Sequence, residues 1–416
     1  MKKPKVAVLS FPGMNCEVES LCALRRNGMD ARFFRWNDDR SVLEDVDGYF
    51  LPGGFSYEDR GRSGMVAARD PLMEFIGREA ERGKAVIGNC NGAQILVESG
   101  LIPLPKGLTM SLARNAIEEH GEPKAVGFLS EWVWISPSCE RDRCATSDWK
   151  GVMHLPIAHG EGRFTTRDPE LLKELKTREQ IAFSYCDEAG HISDDVATTP
   201  NGSSLAIAGL CNPDGNVVAL MPHPERTPLG DPYFQSLCRW LQQGRVTTKA
   251  GNATSKSAGF DLHPRTVQGT EIFIDLIIVN NEERTVEQAA RRITPSLGLK
   301  QLRYVAVPEE KVLPLLRSLS FFNPHKELAY IRRNGQLSTW ESRKGKEVPL
   351  KKQPHFFAAT KLLRRDEPDT SSASLGEGAV QGIVYAIADV EERALANDEL
   401  LAVFANPHAS TLERLP

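Results

Sequence analysis

The chain has 416 residues, 25% of them charged and 41% apolar, which suits two or three folded domains and excludes wholesale disorder. Lys and Arg number 51 against 55 Asp and Glu, a net −4 that is too balanced for a protein holding nucleic acid by bulk charge. No apolar run approaches the roughly 20 residues that span a bilayer, so no membrane role is expected.

The first apolar run, Val6 to Phe11, is cut short by Pro12-Gly13 and reads as a buried strand rather than an export signal. Glu17 to Asn27 reads as a helix, Ala31 to Trp36 as a strand, and Gly48 to Leu51 as a strand ending in Pro52-Gly53-Gly54. Met65 to Arg82 reads as one helix and Ala85 to Gly88 as a fourth strand. This alternation predicts an α/β domain over residues 1–242, a parallel sheet covered on both faces with its site at the carboxyl ends of the strands. Residues 243–270, rich in Gly, Ser, Thr, Lys and Asn, read as a linker.

Residues 271–416 predict a smaller α+β domain. Glu271 to Val279 and Gln301 to Val307 are β-like, while Val286 to Ile293 and Glu309 to Ser318 suit helices. Ala379 to Ala388 reads as a strand, followed by a helical stretch to Asn397 and a closing strand from Leu400 to Phe404. Lys326 to Arg365 carries 11 basic residues against 3 acidic ones, read as a solvated face with a disordered loop. Asp366 to Gly378 reads as a flexible loop. The eight cysteines form no CxxC pair, so neither a zinc site nor a disulfide framework is expected, and reduced thiols in the cytoplasm are.

Cys90 differs from the other seven. Ala85-Val86-Ile87 runs straight into Gly88-Asn89-Cys90-Asn91-Gly92, and a helical pattern follows, the layout of a nucleophile elbow with sulfur in place of oxygen. The turn puts Cys90 at a helix amino terminus, where free N–H groups favour an anion. The amide of Asn91 would face an oxyanion on the attacked carbonyl. A thiolate of this kind needs an oriented acid/base, and Val217 to Met221 leads into Pro222-His223-Pro224-Glu225. Strand alternation would put His223 and Glu225 on one side. The paired glycines Gly53 and Gly54 at a strand end let the backbone approach a substrate closely and would supply the second half of an oxyanion hole.

The motifs Phe11-Pro12-Gly13-Met14-Asn15-Cys16, Leu51-Pro52-Gly53-Gly54-Phe55-Ser56-Tyr57, Gly88 to Leu96, Pro156-Ile157-Ala158-His159-Gly160-Glu161-Gly162, Asn201-Gly202-Ser203 and Met221 to Arg226 stand in order. Over Val6 to Trp240 the chain resembles the class I (triad) glutamine amidotransferases, and more closely the glutaminase subunits of phosphoribosylformylglycinamidine synthase. The resemblance implies a flavodoxin-like fold and glutamine hydrolysis, with Cys90 attacking the side-chain amide. It implies His223 as acid/base oriented by Glu225, oxyanion donors at Gly54 and Asn91, and substrate contacts at Gly53 and Gln94. His159 and Glu161 are an alternative catalytic pair, and the Pro-braced segment favours His223 and Glu225. The segment from Ala158 to Gly162 and Arg226 would shape the mouth of the site or a partner surface.

The implied partner is an ATP-dependent synthetase that receives the ammonia. This chain carries no Walker-type loop of its own, and no metal or organic cofactor is indicated. The alternatives are a synthetase outside purine synthesis, or a scaffold that keeps the fold without turnover. Two features depart from the family pattern: Ala93 stands where an aromatic is usual, and residues 271–416 follow where such glutaminases end.

Overall fold

The short apolar runs at the start become strands because each is buried on both faces, and the polar stretches between them become the covering helices. The computed structural model describes residues 3–105, 107–244, 259–373 and 375–416 and divides into two units, Met1–Ala258 and Gly259–Pro416. In the first unit β1 (Lys5–Ser10), α1 (Glu17–Arg26), β2 (Asp30–Arg35) and β3 (Gly48–Leu51) follow in order. Next come α2 (Met65–Ala68), α3 (Pro71–Glu81), β4 (Ala85–Asn89) and α4 (Asn91–Glu98). The single helix expected from Met65 to Arg82 is broken: Pro71 cannot donate to a preceding turn, and the extended Asp70 caps the second helix by accepting from the Leu72 N–H at 2.9 Å.

Strands β5 (Ser111–Arg114), β6 (Ala116–Glu119), β7 (Glu122–Ala125), β8 (Leu129–Pro137), β9 (Met153–His159) and β10 (Glu161–Thr165) precede α5 (Pro169–Thr177). Strands β11 (Ile181–Cys186), β12 (Ile207–Cys211) and β13 (Val217–Leu220) and helix α6 (Asp231–Gln243) complete the unit. The main sheet has nine strands in the order β2-β1-β3-β4-β13-β12-β11-β8-β9. Its first five are parallel, in flavodoxin-like order. The remaining four are antiparallel, unlike the all-parallel sheet expected, because β12 and β13 are joined by a tight turn that no parallel pair could use. One apolar cluster lies on each face, with Leu51, Ile76 and Leu96 in one and Phe50, Ile87 and Phe234 in the other.

The second unit is a separate nine-stranded sheet, β14-β22-β20-β21-β16-β15-β17-β18-β19. Its elements are β14 (His263–Pro264), β15 (Thr270–Leu276), α7 (Asn281–Arg291), β16 (Gly298–Val307), α8 (Glu309–Arg317), β17 (Glu327–Arg333), β18 (Gln336–Glu341) and β19 (Lys346–Pro349). They continue with β20 (Thr360–Asp366), α9 (Thr370–Ala373), β21 (Val380–Ala388), α10 (Asp398–Phe404) and β22 (Ser410–Leu415). Of the expected linker, residues 245–258 lie outside the described residues, while His263–Pro264 pairs with β22 as an edge of this sheet.

Three expectations fail here. Leu400 to Phe404 is helix, not a closing strand: Asn397 caps it by accepting from Glu399 N at 2.9 Å, and Leu400, Leu401, Val403 and Phe404 are all buried. A short apolar run buried all round carries no period to tell helix from strand. The basic run from Lys326 forms strands rather than a disordered loop. Arg333 pairs with Glu309 at 2.8 Å and Glu347 at 2.5 Å, and Arg332 with Glu271 Oε1 at 2.7 Å, so the arginines of β17 are matched by acids distant in sequence. Within Asp366 to Gly378, expected as a loop, Asp369 accepts from Ser372 N at 2.9 Å and α9 forms. Among the described residues no helix is long and apolar enough to cross a membrane, and all eight cysteines are free thiols.

Candidate functional site

Strand β4 is held between β3 and β13, and the chain must turn into α4 within a single residue. Cys90 is that residue. Its φ of 50° and ψ of −108° lie outside the comfortable regions for a side-chain-bearing residue, a strain of roughly 1–3 kcal/mol that the surrounding packing imposes. Its N–H donates to Leu220 O at 2.7 Å, locking the turn to β13. The two flanking glycines are required by contact. A Cβ on Gly88 would sit 2.5 Å from Gly92 O, and one on Gly92 would sit 2.0 Å from Leu51 O. Helix α4 is buried along its whole length, so its amino terminus is fixed in a low-dielectric setting.

The Cys90 Sγ lies 3.8 Å from Ala158 O and lines a cavity of about 140 Å³ with Gly54, Gln94, His159, Glu161 and Asp59. Gly54 has φ +146°, and a Cβ there would meet Met14 Cα at 2.5 Å, so the backbone passes close to its neighbours and lies open on the cavity side. Asn91 opens α4; its side chain accepts from Ser56 N at 3.0 Å and donates to Gln94 Oε1 at 2.8 Å, tying the loop after β3 to the elbow. The Gln94 Nε2 donates to Glu161 O at 2.5 Å, so Gln94 shapes the cavity wall with both ends of its amide already engaged. Phe55 and Phe128, both exposed, stand at the rim with ring centroids 6.4 Å apart.

His223 lies beyond the end of β13, not on it. The strand stops at Leu220, and Pro224–Arg226 forms a 3-10 turn, so tight turning rather than strand alternation brings the two side chains together. The His223 N–H of the main chain donates to Pro156 O at 2.9 Å. The imidazole Nδ1 lies 2.5 Å from Glu225 Oε1 and both side chains are fully buried. Burial alone would pull the imidazolium down, but the charges of Glu225 and Cys90 outweigh it and hold His223 well above its ordinary pKa. Burial likewise opposes ionisation of Glu225, and the facing imidazolium overcomes it, keeping that carboxyl low. The imidazole is also raised by the thiols of Cys16 and Cys90, which lie close to it.

Gly53 is placed against the imidazole rather than in the cavity. A Cβ there would lie 2.6 Å from His223 Cε1 and 3.2 Å from Cys16 Sγ. Its carbonyl accepts from Asn15 N at 3.2 Å and Cys16 N at 3.1 Å. The alternative pair, His159 and Glu161, does not form: neither ring nitrogen of His159 has a partner, while Glu161 Oε2 accepts from Ser63 N at 3.0 Å. Burial and the nearby charge of His223 push His159 down to about 3, so it is a neutral ring.

Three residues in this network carried no role in the sequence reading. Asn89 donates to Glu225 Oε2 at 3.3 Å and accepts from Tyr233 OH at 3.0 Å; an amide closing an apolar strand was the available sign. Asp59, in the turn after β3, lines the cavity, and burial and then the charge of Glu161 push it up to about 7. Nothing local in the sequence reveals that burial. Cys16 lies beside the pair, and its Sγ accepts from Arg226 Nη2 at 3.1 Å. The donor atoms of Cys16, His223 and Glu225 all fall within 4.8 Å of one another, but Arg226 and the His223–Glu225 contact already engage them.

The sequence profile of the CobB/CobQ-like glutamine amidotransferase domain matches residues 3–235. The phosphoribosylformylglycinamidine synthase subunit PurQ of Methanothrix thermoacetophila is 44% identical over 225 residues, covering 53% of this chain and 86% of that protein. The subunit of the same name from Pyrococcus furiosus is 39% identical over 223 residues, 53% of this chain and 88% of that one. A solved chain from the structure of PurLQS from Thermotoga maritima is 31% identical, with a TM-score of 0.44, over 58% of this chain and all of its own.

Proposed function

The chain belongs to the CobB/CobQ-like glutamine amidotransferase domain family, and we propose on that premise that Cys90, His223 and Glu225 carry out its glutamine hydrolysis. The chain is a glutamine amidotransferase, and with its PurQ relatives it supplies ammonia for formylglycinamidine ribonucleotide formation in purine biosynthesis. The Cys90 thiolate attacks the side-chain amide carbon of glutamine, and the negative charge moves to the carbonyl oxygen. The N–H groups of Gly54 and Asn91 receive that oxyanion. As the tetrahedral species collapses, the C–N bond breaks and the imidazolium of His223 gives its proton to the leaving ammonia. A water that has lost a proton to the now neutral His223 then attacks the thioester, releasing glutamate and restoring the thiolate–imidazolium pair.

One observation carries this assignment: His223 is buried between the Glu225 carboxylate and the Cys90 charge, which together hold it protonated against the cost of burial. Imidazolium beside thiolate is the resting state this chemistry needs. His159, neutral and without a carboxylate partner, lacks that property. Asp59 and Glu161 offer negative charge to the α-ammonium of a glutamine whose amide lies at Cys90. The ammonia acceptor is an ATP-dependent synthetase, which the exposed Phe55 and Phe128 at the cavity rim are suited to meet.

Ammonia and glutamate release by the purified full chain, alone and with a co-purified synthetase, tests the chemistry. Cys90→Ser should abolish both, with folding preserved. Glutamine hydrolysis surviving Cys90→Ser refutes the nucleophile. Rescue of a purine-requiring strain that lacks its own glutaminase tests the destination of the ammonia, and a hydrolytically active chain that fails to rescue would point to another synthetase.

A further inference from the structure

Outside the residues matched by the amidotransferase profile, the second unit carries an open cavity of about 530 Å³, within the size range of small-molecule sites. It is bordered by β15, β17, β18 and β20, and three cations line it: Arg265, Arg332 and Lys361. Two of them have carboxylates. Arg332 donates to Glu271 Oε1 at 2.7 Å and to Pro416 O at 2.6 Å, and Arg265 donates to Glu413 Oε2 at 2.5 Å. Glu271 is in turn bound by Tyr304 OH at 2.9 Å, so it is fully committed.

Lys361 is different. It is only 6% exposed, and its ammonium reaches main-chain oxygens alone, Phe357 O at 3.0 Å and Ala359 O at 3.2 Å. Among the described residues no ion pair is formed by it. Burial and then the adjacent positive charge of Arg332 lower its pKa, and the charge of Glu271, already paired with Arg332, opposes them only in part. The Arg265 Nε is also buried without a hydrogen-bond partner. An ammonium taken out of water in this way is costly unless an anion meets it, and Lys361 lines the cavity, where a bound anion can reach it. The rest of the lining is suited to an organic group: Phe357, Leu337 and Val267 are apolar, and Asn334 and Gln353 are polar.

We propose that the second unit binds a small organic anion in this cavity, with Lys361 and Arg265 meeting a phosphate or carboxylate group and Phe357 covering the planar or apolar part. The site uses none of the residues of the Cys90 chemistry. A phosphate and a carboxylate present the same oxyanion to Lys361, and the ligand's source separates them.

Calorimetric titration of the full chain with AMP, with benzoate and with adenosine decides the matter. Saturable binding of AMP points to a phosphate ester and of benzoate to a carboxylate, and adenosine, which has no anion, should bind far more weakly. Lys361→Gln should weaken the bound anion by about tenfold to a hundredfold, the worth of a charge-assisted contact. Leu337→Trp, which fills the cavity from a half-buried position without touching the buried ion pairs, should weaken it as well and guards against a folding defect in Lys361→Gln. No saturable binding of either anion, adenosine binding as tightly as AMP, or binding unchanged in both variants would overturn the proposal.

Discussion

Gly53→Ala isolates the placement of the catalytic imidazole. Gly53 does not occupy the left-handed backbone region, so alanine brings no torsional penalty there. The added methyl would lie 2.6 Å from His223 Cε1, whereas carbon atoms pack at about 3.5 Å or more. The ring would have to retreat by about 0.9 Å, yet it is fully buried and anchored at 2.5 Å to Glu225. A misplacement of about 1 Å at a reacting group costs on the order of 100-fold in rate, and overpacking of this size costs about 1–3 kcal/mol of stability. The expected outcome is a folded protein with kcat down on the order of 100-fold. KM should be little changed, because Gly53 does not line the cavity. Glutamate formation by the full chain, with its synthetase partner present, and thermal unfolding give both quantities. Adding Cys16→Ala removes the contact at 3.2 Å and leaves the one at 2.6 Å, so the double variant should not recover. Unchanged kcat in the folded single variant, or full recovery in the double one, would refute the reasoning.

Asn89→Ala removes a hydrogen bond from Glu225 Oε2 and leaves Tyr233 OH without its acceptor; kcat should fall by about tenfold and stability by about 1–3 kcal/mol, read by steady-state kinetics and denaturant titration. Glu225→Gln removes the largest charge holding His223 protonated against burial and the partner that orients its ring, so kcat should fall by roughly 100-fold or more. In the wild type, Glu225 sits low and His223 high, so the pair stabilises the fold between those two values, and the contribution is lost in acid as Glu225 protonates and in alkali as His223 deprotonates. The stability difference between wild type and Glu225→Gln should therefore be greatest near neutral pH and shrink on either side. Asp59 titrates at about 7 in the fold against 3.8 ordinarily, so the folded state holds a proton the unfolded chain releases, and its ionisation destabilises the fold as pH rises through that interval. Asp59→Asn should raise Tm more in mildly alkaline than in mildly acidic buffer, while raising KM for glutamine. The wild-type KM should itself rise as pH falls below about 7, because the protonated carboxyl cannot meet the α-ammonium; a pH-independent wild-type KM would remove Asp59 from substrate recognition.

Much of the first unit was legible because its signals are local. Gly88-Asn89-Cys90-Asn91-Gly92 states its own geometry: only glycine fits 2.5 Å from Gly92 O or 2.0 Å from Leu51 O, and a residue so placed opens a helix. The strand bounds of β3 and the helix bounds of α1 follow from apolar runs ended by Gly, Pro or Asn. What could not be read is what depends on residues far apart in sequence. Gly53 was expected to face substrate and instead packs under His223, because that ring arrives from a turn after β13. Asp59 becomes a weak acid only when Glu161 and a buried wall close over it. In the second unit, Leu400 to Phe404 is a buried helix whose apolar run has no period, and the basic run from Lys326 becomes a set of strands matched by Glu271, Glu309 and Glu413.

Chain order and residue type therefore determined the elbow, the parallel strands and the family of chemistry, since backbone sterics and burial periodicity act over a few residues. The tertiary structure decided which groups share a desolvated space: the His223–Glu225–Asn89 network, the acid pair beside Cys90, and the unbalanced ammonium of Lys361. Protonation in a low-dielectric interior is set by charges a few ångströms away, and those neighbours are chosen by the fold, not by sequence distance.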